Sequence, residues 1–482
     1  MNSRIVVRAL SALLLIVSVS MILPILVAVL SGEQNMIVPF LIPLLAGSAA
    51  ATIGILTTRN PAVAMVPRDG FAIVTGSWIL ASAVGAVPFV LAHALPSYTD
   101  AFFETMSGFT TTGASVIADV ESLSRAILFW RSLTHWLGGM GIIVLAVAVF
   151  PLIGIRAYQL VKAESPGPSV ERITPRIART AKILWLIYVG LSALETILLI
   201  IAGLSPFDAI TQTFGTMATG GFSTRNASIG GFNLPAVEII ITVFMVSAGA
   251  NFALYYQLLI GRFSSFRADT EFKAYIGIFV VASAIAALSL GLQSGAPAGE
   301  AIRQSTFQVA SILTTTGFAT TDFDTWPSVA KIVLLLIMFV GGCAGSTAGG
   351  IKVVRIVTLM KQAVNEMRYE IHPRAVFSLS LNGVPLRKNT VFGIVSFFFL
   401  YMLLALLTTA VVSFAGVSVS GAFTTALVTL GNIGPGFAEV GPTHTYAFYP
   451  PAIKWFLSFI MMVGRLEVYT VLILFLPRIW RK

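Results

Sequence analysis

The sequence predicts an all-α integral membrane protein with four parallel M1–pore helix–M2 repeats around one pore, preceded by two extra N-terminal transmembrane helices. Three observations predict it. The 482 residues are 56% hydrophobic and only 10% charged, with mean hydropathy +0.90, whereas a soluble domain carries about 25% charged residues. Apolar runs long enough to span a bilayer, about 20 residues each, recur along the whole chain. Four short Thr/Gly-rich segments stand at the same place in four otherwise apolar units: TTTGAS (Thr110 to Ser115), ATGGFS (Ala218 to Ser223), TTTGFA (Thr314 to Ala319) and GNIGPG (Gly431 to Gly436). Aligned on their fourth residue they share Gly113, Gly221, Gly317 and Gly434, at steps of 108, 96 and 117 residues.

Residues 1–70 hold two spans, near 5–30 and 36–57, joined by the polar turn Ser31 to Asn35. Arg4 and Arg8 before an apolar run would suit a signal peptide, but such apolar cores reach only about 7–15 residues. The run from Ala9 to Leu30 is longer and reads as a retained helix. The first repeat (71–179) reads as a span near 71–95, a short helix near 98–109, the first Thr/Gly segment and a span near 124–150. The second (180–271) runs 180–203, 206–217, segment, 235–260. The third (272–388) runs 272–293, 298–313, segment, 327–358, and the fourth (389–482) runs 389–414, 418–430, segment, 449–475. Helices of about a dozen residues are too short to cross, so each short one reads as re-entrant. The irregular backbone after it is tolerable only where it lines a cavity or is buried in protein.

Small residues in extended backbone at membrane depth can turn carbonyl oxygens toward a water-filled axis and replace the hydration shell of a monovalent cation. The candidate lining is Thr111, Thr112 and Gly113; Thr219, Gly220 and Gly221; Thr315, Thr316 and Gly317; and Asn432, Ile433 and Gly434. One such segment alone would be a turn between helices. Four at equivalent positions, each after a non-spanning helix, read as one pore made by one chain. The short helices would point the negative ends of their dipoles at the cavity beneath, favouring a partly dehydrated cation there. The fourth segment departs most, with Asn432, Ile433 and Pro435 where the first has threonines and alanine.

Charge sets the orientation. With the N-terminus inside, inner segments hold 23 of the 30 Lys and Arg, among them Arg156, Lys162 and Arg172 in one loop and Lys361, Arg368 and Arg374 in another. Outer segments hold five: Arg125, Arg225, Arg303, Lys331 and Lys454. This is the positive-inside pattern, and it puts all four Thr/Gly segments on the outer side. The outer segments also carry ten acids (Glu33, Asp100, Glu104, Asp119, Glu121, Asp208, Glu300, Asp322, Asp324 and Glu439), so a cation arriving from outside meets an attractive field. The formal +10 belongs to the inner face and implies no nucleic-acid surface. The inner loops 151–180 and 359–388 suit docking of a regulatory subunit or contact with anionic lipid of the bilayer.

The third repeat holds a candidate gate. Gly341, Gly342, Gly345, Gly349 and Gly350, with Cys343, Ser346 and Thr347, interrupt the span near 327–358. Glycine costs about 1 kcal/mol against alanine in a helix interior, so the run should break the helix. The break would begin some 14 residues along, roughly 21 Å at ~1.5 Å per residue, below the Thr/Gly segment. Close packing of small residues is the other reading. Arg465, in the last span, is an intramembrane charge and so a candidate functional group. Beneath the pore lining it would set a barrier to cations or, alternatively, take part in a buried structural ion pair. Glu467 lies two residues on, off its helix face, and should face another helix; Glu195 and Glu238 read as structural.

Other classes find little support. The single Cys343 excludes an intrachain disulfide, and His93, His135, His372 and His444 lack metal-ligand spacing. No HExxH pair, nucleophile elbow or P-loop is present, so the chain does not read as an enzyme. A proton- or sodium-coupled secondary potassium transporter stays as the alternative to a pore, although four parallel repeats differ from the inverted repeats of many carriers.

These residues resemble the Trk/Ktr/HKT superfamily of potassium transporters, and within it the TrkH type of membrane subunit. The resemblance rests on the four repeats, one glycine per segment, the run Gly341 to Lys352 (GGCAGSTAGGIK) and the two extra helices. It implies K+ as the transported ion, with no other bound cofactor. It implies potassium uptake by a homodimer in the bacterial inner membrane, with a ring of TrkA-like cytosolic nucleotide-binding regulatory subunits docked below. It also implies that Gly345, Ser346, Thr347, Gly349 and Gly350, with Arg465, form the gate. Plant members with sodium preference carry serine at the first-segment glycine, where this chain has Gly113.

Overall fold

A computed structural model describes residues 2–58, 66–141, 177–375 and 377–477. Helices α1 (Ser3–Ser20) and α2 (Ile22–Leu30) run on as one span, and α3 (Ile37–Thr57) returns beside α1. Small residues set that approach: a Cβ on Gly47 or Gly54 would overlap the hydroxyls of Ser18 and Ser11. The turn between them is tied to the first repeat. Glu33 accepts hydrogen bonds from the Arg125 and Ala126 amides at 2.8 and 3.1 Å, which are among the free N–H groups at a helix start.

The first repeat comprises α4 (Pro67–Gly85), α5 (Val87–Leu91), the short α6 (Tyr98–Phe109) and α7 (Arg125–Gly139). The second comprises α8 (Ile177–Ile201), α9 (Pro206–Met217), α10 (Pro235–Ala248) and α11 (Phe252–Leu259). The third comprises α12 (Thr270–Gln293), α13 (Ala298–Leu313), α14 (Ser328–Ile337) and α15 (Val353–Ile371). A two-stranded hairpin, β1 (Ser380–Leu381) against β2 (Val384–Pro385), leads to the fourth, made of α16 (Lys388–Ser413), α17 (Val419–Leu430), α18 (Pro451–Arg465) and α19 (Tyr469–Leu472). Six helices among the described residues are long and apolar enough to span, or eight counting two bent pairs. The residues around the short helices are buried, while Leu186, Val243, Leu288 and Phe399 expose apolar side chains outward, as a lipid-facing surface does.

The second helix of each repeat departs from the sequence reading. The sequence placed a break only in the third repeat, but the second and fourth are interrupted as well, and α7 of the first ends early. Helix α7 stops at Gly139, and Gly141 has a φ of 77°; residues 142–150 of the expected span, and most of the inner loop 151–180, lie outside the described residues. The span expected over 235–260 is α10 and α11, meeting at 94°. The Asn251 side chain caps α11 by accepting from the Ala253 amide at 2.8 Å, so a polar residue at the corner replaces the helical hydrogen bond. The span expected over 449–475 turns by 113° after Arg465, where Glu467 and Val468 have φ of 56° and 51°. In the third repeat α14 ends after 10 residues, earlier than expected, because Met338 to Phe339 already turn toward the glycine run.

The short helices meet the inner ones at glycines. A Cβ on Gly138 would overlap the Phe109 carbonyl oxygen at the end of α6 and lie 2.7 Å from its carbon. Gly464 is placed the same way against Leu430 at the end of α17. Backbone cannot yield as a side-chain tip can, so Gly138→Ala is expected to destabilise the fold by about 1–3 kcal/mol. Thermal unfolding in detergent checks this; an unchanged midpoint would mean that α7 can move off α6 freely.

Candidate functional site

Three of the four short helices start on a serine cap. Ser97, Ser205 and Ser418 each accept a hydrogen bond from an amide three residues on, at 3.1 Å. They end alike as well. The amides of Thr112, Gly220, Thr316 and Ile433 reach back five residues to the carbonyls of Ser107, Gly215, Ser311 and Val428, at 2.8–2.9 Å. In three repeats the preceding amide also bonds three residues back. This is the Schellman arrangement, which requires a left-handed residue just past the helix.

That residue is Thr111, Thr219, Thr315 or Asn432, with φ of 53°, 54°, 56° and 54°. Asparagine tolerates the left-handed region, but β-branched threonine there is strained. Two residues on, Gly113, Gly221, Gly317 and Gly434 return to positive φ, at 80°, 80°, 81° and 98°. Alternating the sign of φ along an extended stretch turns successive carbonyls toward one side instead of to opposite sides. The fourth segment, the most divergent in sequence, shares this backbone form.

The four segments close into a ring. A Cβ on Gly113 would strike the Gly220 carbonyl oxygen, on Gly221 that of Thr316, on Gly317 that of Ile433, and on Gly434 would come within 2.7 Å of that of Thr112. Each shared glycine thus backs onto the third residue of the next segment, and the fourth onto the first. All twelve candidate lining residues therefore fall in one assembly, the threonines among them buried.

Side chains missed in the sequence brace this ring. Glu104 on α6, buried, receives Arg131 of α7 at 2.6 Å, the Ser115 hydroxyl at 3.0 Å and the Val116 amide at 2.9 Å. Arg131 also donates to the Ser223 carbonyl at 3.0 Å and stacks over Phe222 at 3.6 Å. The pair thereby couples the outer ends of the first two segments. His135 wedges behind the second, its Nδ1 2.6 Å from the Gly108 carbonyl and its ring stacked on Phe222. An arginine inside an apolar helix was the signal available for Arg131.

Several of the outer acids also fasten the fold. Asp100 pairs with Lys454 at 2.6 Å, Glu121 with Arg225 at 3.7 Å and Asp324 with Lys331 at 3.9 Å. Glu439 accepts from the Ser418 amide and hydroxyl, and that hydrogen bonding holds its carboxyl below the ordinary range.

Beneath the ring, the glycine run between α14 and α15 bonds to the second repeat directly and reaches the first through Arg465 of the fourth. Its limbs pair through a bridge between Val340 and Ile351. The Cys343 amide donates to the Gly249 carbonyl at 2.8 Å, and the Gly345 carbonyl accepts from the Phe252 amide at 3.0 Å, both at the corner of the second repeat. Ser346 turns its hydroxyl back to the Cys343 carbonyl at 2.6 Å. Thr347, buried, donates to the Met217 and Ala248 carbonyls at 3.0 and 3.2 Å. The Gly349 amide donates to the Thr315 hydroxyl at 2.7 Å, directly under the third segment. Gly350 has a φ of 67°. Arg465, the last residue of α18, donates to the Thr347 carbonyl at 2.7 Å and to those of Gly138 and Gly139 at 2.7 and 2.6 Å. Glu271 holds both limbs, accepting from the Ala344 and Val354 amides at 2.7 and 3.0 Å. As expected, Glu467 faces another helix: it pairs with Arg355. Glu238 pairs with Arg303 at 3.4 Å. A cavity of about 120 Å³, lined by Gly139, Gly345, Lys352, Gly464 and Arg465 among others, opens beside the loop.

Residues 40–482 match the family model for TrkH, described as cation transport protein. The Trk system potassium uptake protein TrkH of Salmonella typhimurium is 40% identical over 486 residues, covering 100% of both chains. The Trk system potassium uptake protein TrkG of Escherichia coli K12 is 37% identical over 88% of each. The crystal structure of the potassium transporter TrkH from Vibrio parahaemolyticus superposes with a TM-score of 0.90 at 38% identity, over 100% of both chains.

Removing one partner of a buried ion pair leaves an uncompensated charge, at about 3–5 kcal/mol. Glu104→Gln is therefore expected to lower thermal stability by that order. Glu104→Leu combined with Arg131→Met should recover only part of the loss, because the buried Val116 amide and Ser223 carbonyl lose their partners. Equal unfolding midpoints for Glu104→Gln and the parent would show that Arg131 finds compensation elsewhere.

Proposed function

This chain belongs to the TrkH family of cation transport proteins, a family of transporters and not of enzymes, and from that premise we propose that it takes up potassium through a gated, cation-selective pore. The observation that carries this reading is the closed ring of four segments, each left-handed at its second and fourth residues. Backbone so folded presents carbonyl oxygens to a common axis, and such rings replace the hydration shell of K+. Thr111, Thr112 and Gly113, with their counterparts in the other three repeats, form the filter. Glycine at all four shared positions lets neighbouring segments approach closely, and the pore helices point their negative ends beneath.

The glycine run from Gly345 to Gly350 acts as the gate and Arg465 as its latch. The loop hangs from carbonyls of the second repeat and is clamped by a fixed positive charge that also grips the first. Opening means releasing these bonds so that the loop clears the space beneath the filter. The names of the relatives, as parts of a Trk system, support a protein that works with other components. The proposal includes a homodimer in the bacterial inner membrane with a TrkA-like nucleotide-binding ring on the inner face, where the basic loops lie.

The deciding experiment is current through the purified protein in a bilayer under a potassium gradient, with and without a pH or sodium gradient. Reversal at the potassium Nernst potential in every case is expected; a shift with the proton or sodium gradient would favour coupled transport instead. In Gly113→Ser the new Cβ meets the Gly220 carbonyl in a left-handed backbone, a strain of about 1–3 kcal/mol. Potassium-over-sodium permeability should fall roughly tenfold, at ~1.4 kcal/mol per factor of ten. Unchanged relative permeability would remove the first segment from the filter.

Arg465→Ala is expected to raise potassium flux in liposomes without any regulatory partner, and deletion of Gly345 to Gly350 to raise it further. Glu467 keeps Arg355 in the variant, so the loss of Arg465 does not strip that acid of its partner. Flux that falls together with thermal stability in Arg465→Ala would leave the arginine a structural tie.

A further inference from the structure

One bond at the ring has no counterpart in the other repeats. The Tyr446 hydroxyl donates to the carbonyl of Gly434 at 2.7 Å. Among the described residues, no hydrogen bond reaches the carbonyls of Gly113, Gly221 or Gly317. Gly434 also differs in backbone, with φ of 98° against 80–81° for the other three. The ring at this level is therefore three free carbonyls and one engaged.

Tyr446 is built for this position. It is 2% exposed, its ring packs against Phe103 of α6 and against Tyr449 at 5.7 and 5.9 Å, and its amide donates to the Ser115 carbonyl at 2.8 Å. It thus stands at the seam where the fourth segment meets the first. Burial pushes its hydroxyl well above the ordinary tyrosine range, so it remains a donor at any working pH.

We infer that Tyr446 is a positioning residue for ion selectivity: by holding the Gly434 carbonyl, it fixes and weakens one ligand of the outermost cation site. This rests on the filter reading above. A carbonyl oxygen has two lone pairs; with one given to a hydroxyl, it stays near the axis but presents a weaker field and less freedom. Freed, it would move inward and pull harder on a small ion. Both changes favour sodium relative to potassium, whether selectivity comes from cavity fit or from field strength.

The test compares Tyr446→Phe, Tyr449→Phe and Gly113→Ser in full-length protein in liposomes, with potassium, rubidium and sodium permeabilities measured on monodisperse preparations. Tyr446→Phe keeps the ring and the amide bond to Ser115 and should conduct, with potassium-over-sodium permeability lowered roughly 3- to 10-fold, the discrimination of one net hydrogen bond. Tyr449→Phe loses a buried hydroxyl bonded to Thr425 and not to the ring; its ratio should match the parent. A parent-like ratio in Tyr446→Phe, or an equal fall in Tyr449→Phe, overturns the inference. Should Tyr446→Phe yield no folded protein, 3-fluorotyrosine at position 446 retains every contact and donates more strongly. Its ratio should rise, and a ratio equal to or below that of the parent overturns the inference. Gly113→Ser separates the two levels: if it lowers the ratio while Tyr446→Phe does not, the filter reading stands and only the role of Tyr446 falls.

Discussion

The structure depends on four stretches of irregular backbone being held at membrane depth, three of them in a conformation that a threonine of their own disfavours. Threonine at Thr111, Thr219 and Thr315 occupies the left-handed region, at about 1–3 kcal/mol for each such residue. The capping hydrogen bonds at the helix ends offset part of that, and closure supplies the rest: every segment leans on the next through a glycine with no Cβ, and the last leans on the first. No segment can relax without displacing its neighbour, so the strain is shared around the ring and its geometry stays fixed.

Closure explains where the charges went. An ion pair buried in a membrane protein is weak evidence for stability in itself, yet Glu104 and Arg131 bind carbonyl, amide and hydroxyl groups of two segments as well as each other. Their value lies in holding the outer ends of those segments in register. Lys454 and Asp100 tie the fourth repeat to the first, and Tyr446 holds the same seam through its amide and hydroxyl. The seam between the chain's first and last repeats receives these added fastenings, where no helix-to-helix connection joins them directly.

Beneath the ring the inner helices of the second, third and fourth repeats break, and α7 of the first ends at Gly139. The glycine run of the third repeat exposes carbonyls and amides that water cannot fully satisfy there. The second repeat supplies carbonyls at its 94° corner, and the fourth supplies Arg465, which also grips the carbonyls at the end of α7. The loop is held by these hydrogen bonds and by the burial of Cys343, Ala348 and Ile351.

The four-repeat plan, the short helices to within a residue or two, and the glycine at the heart of each segment were legible in the sequence. Local rules govern them: length of apolar runs, serine caps, and the need for small residues where backbones touch. The broken inner helices of the second and fourth repeats were not, because their local composition is ordinary; Asn251 and Glu467 mark corners only once the loop from another repeat arrives. Arg131 and Glu104 are 27 residues apart, and Tyr446 lies in what reads as an unpatterned outer loop, 12 residues from Gly434. The fourth segment shows the division most clearly. Its sequence, Asn432 to Pro435, looks like a departure, yet three partners impose on it the backbone of the others. Sequence alone determined that four such segments exist and which residues are small enough to meet. Tertiary structure alone decided how they meet, because a closed ring is a property of all four at once.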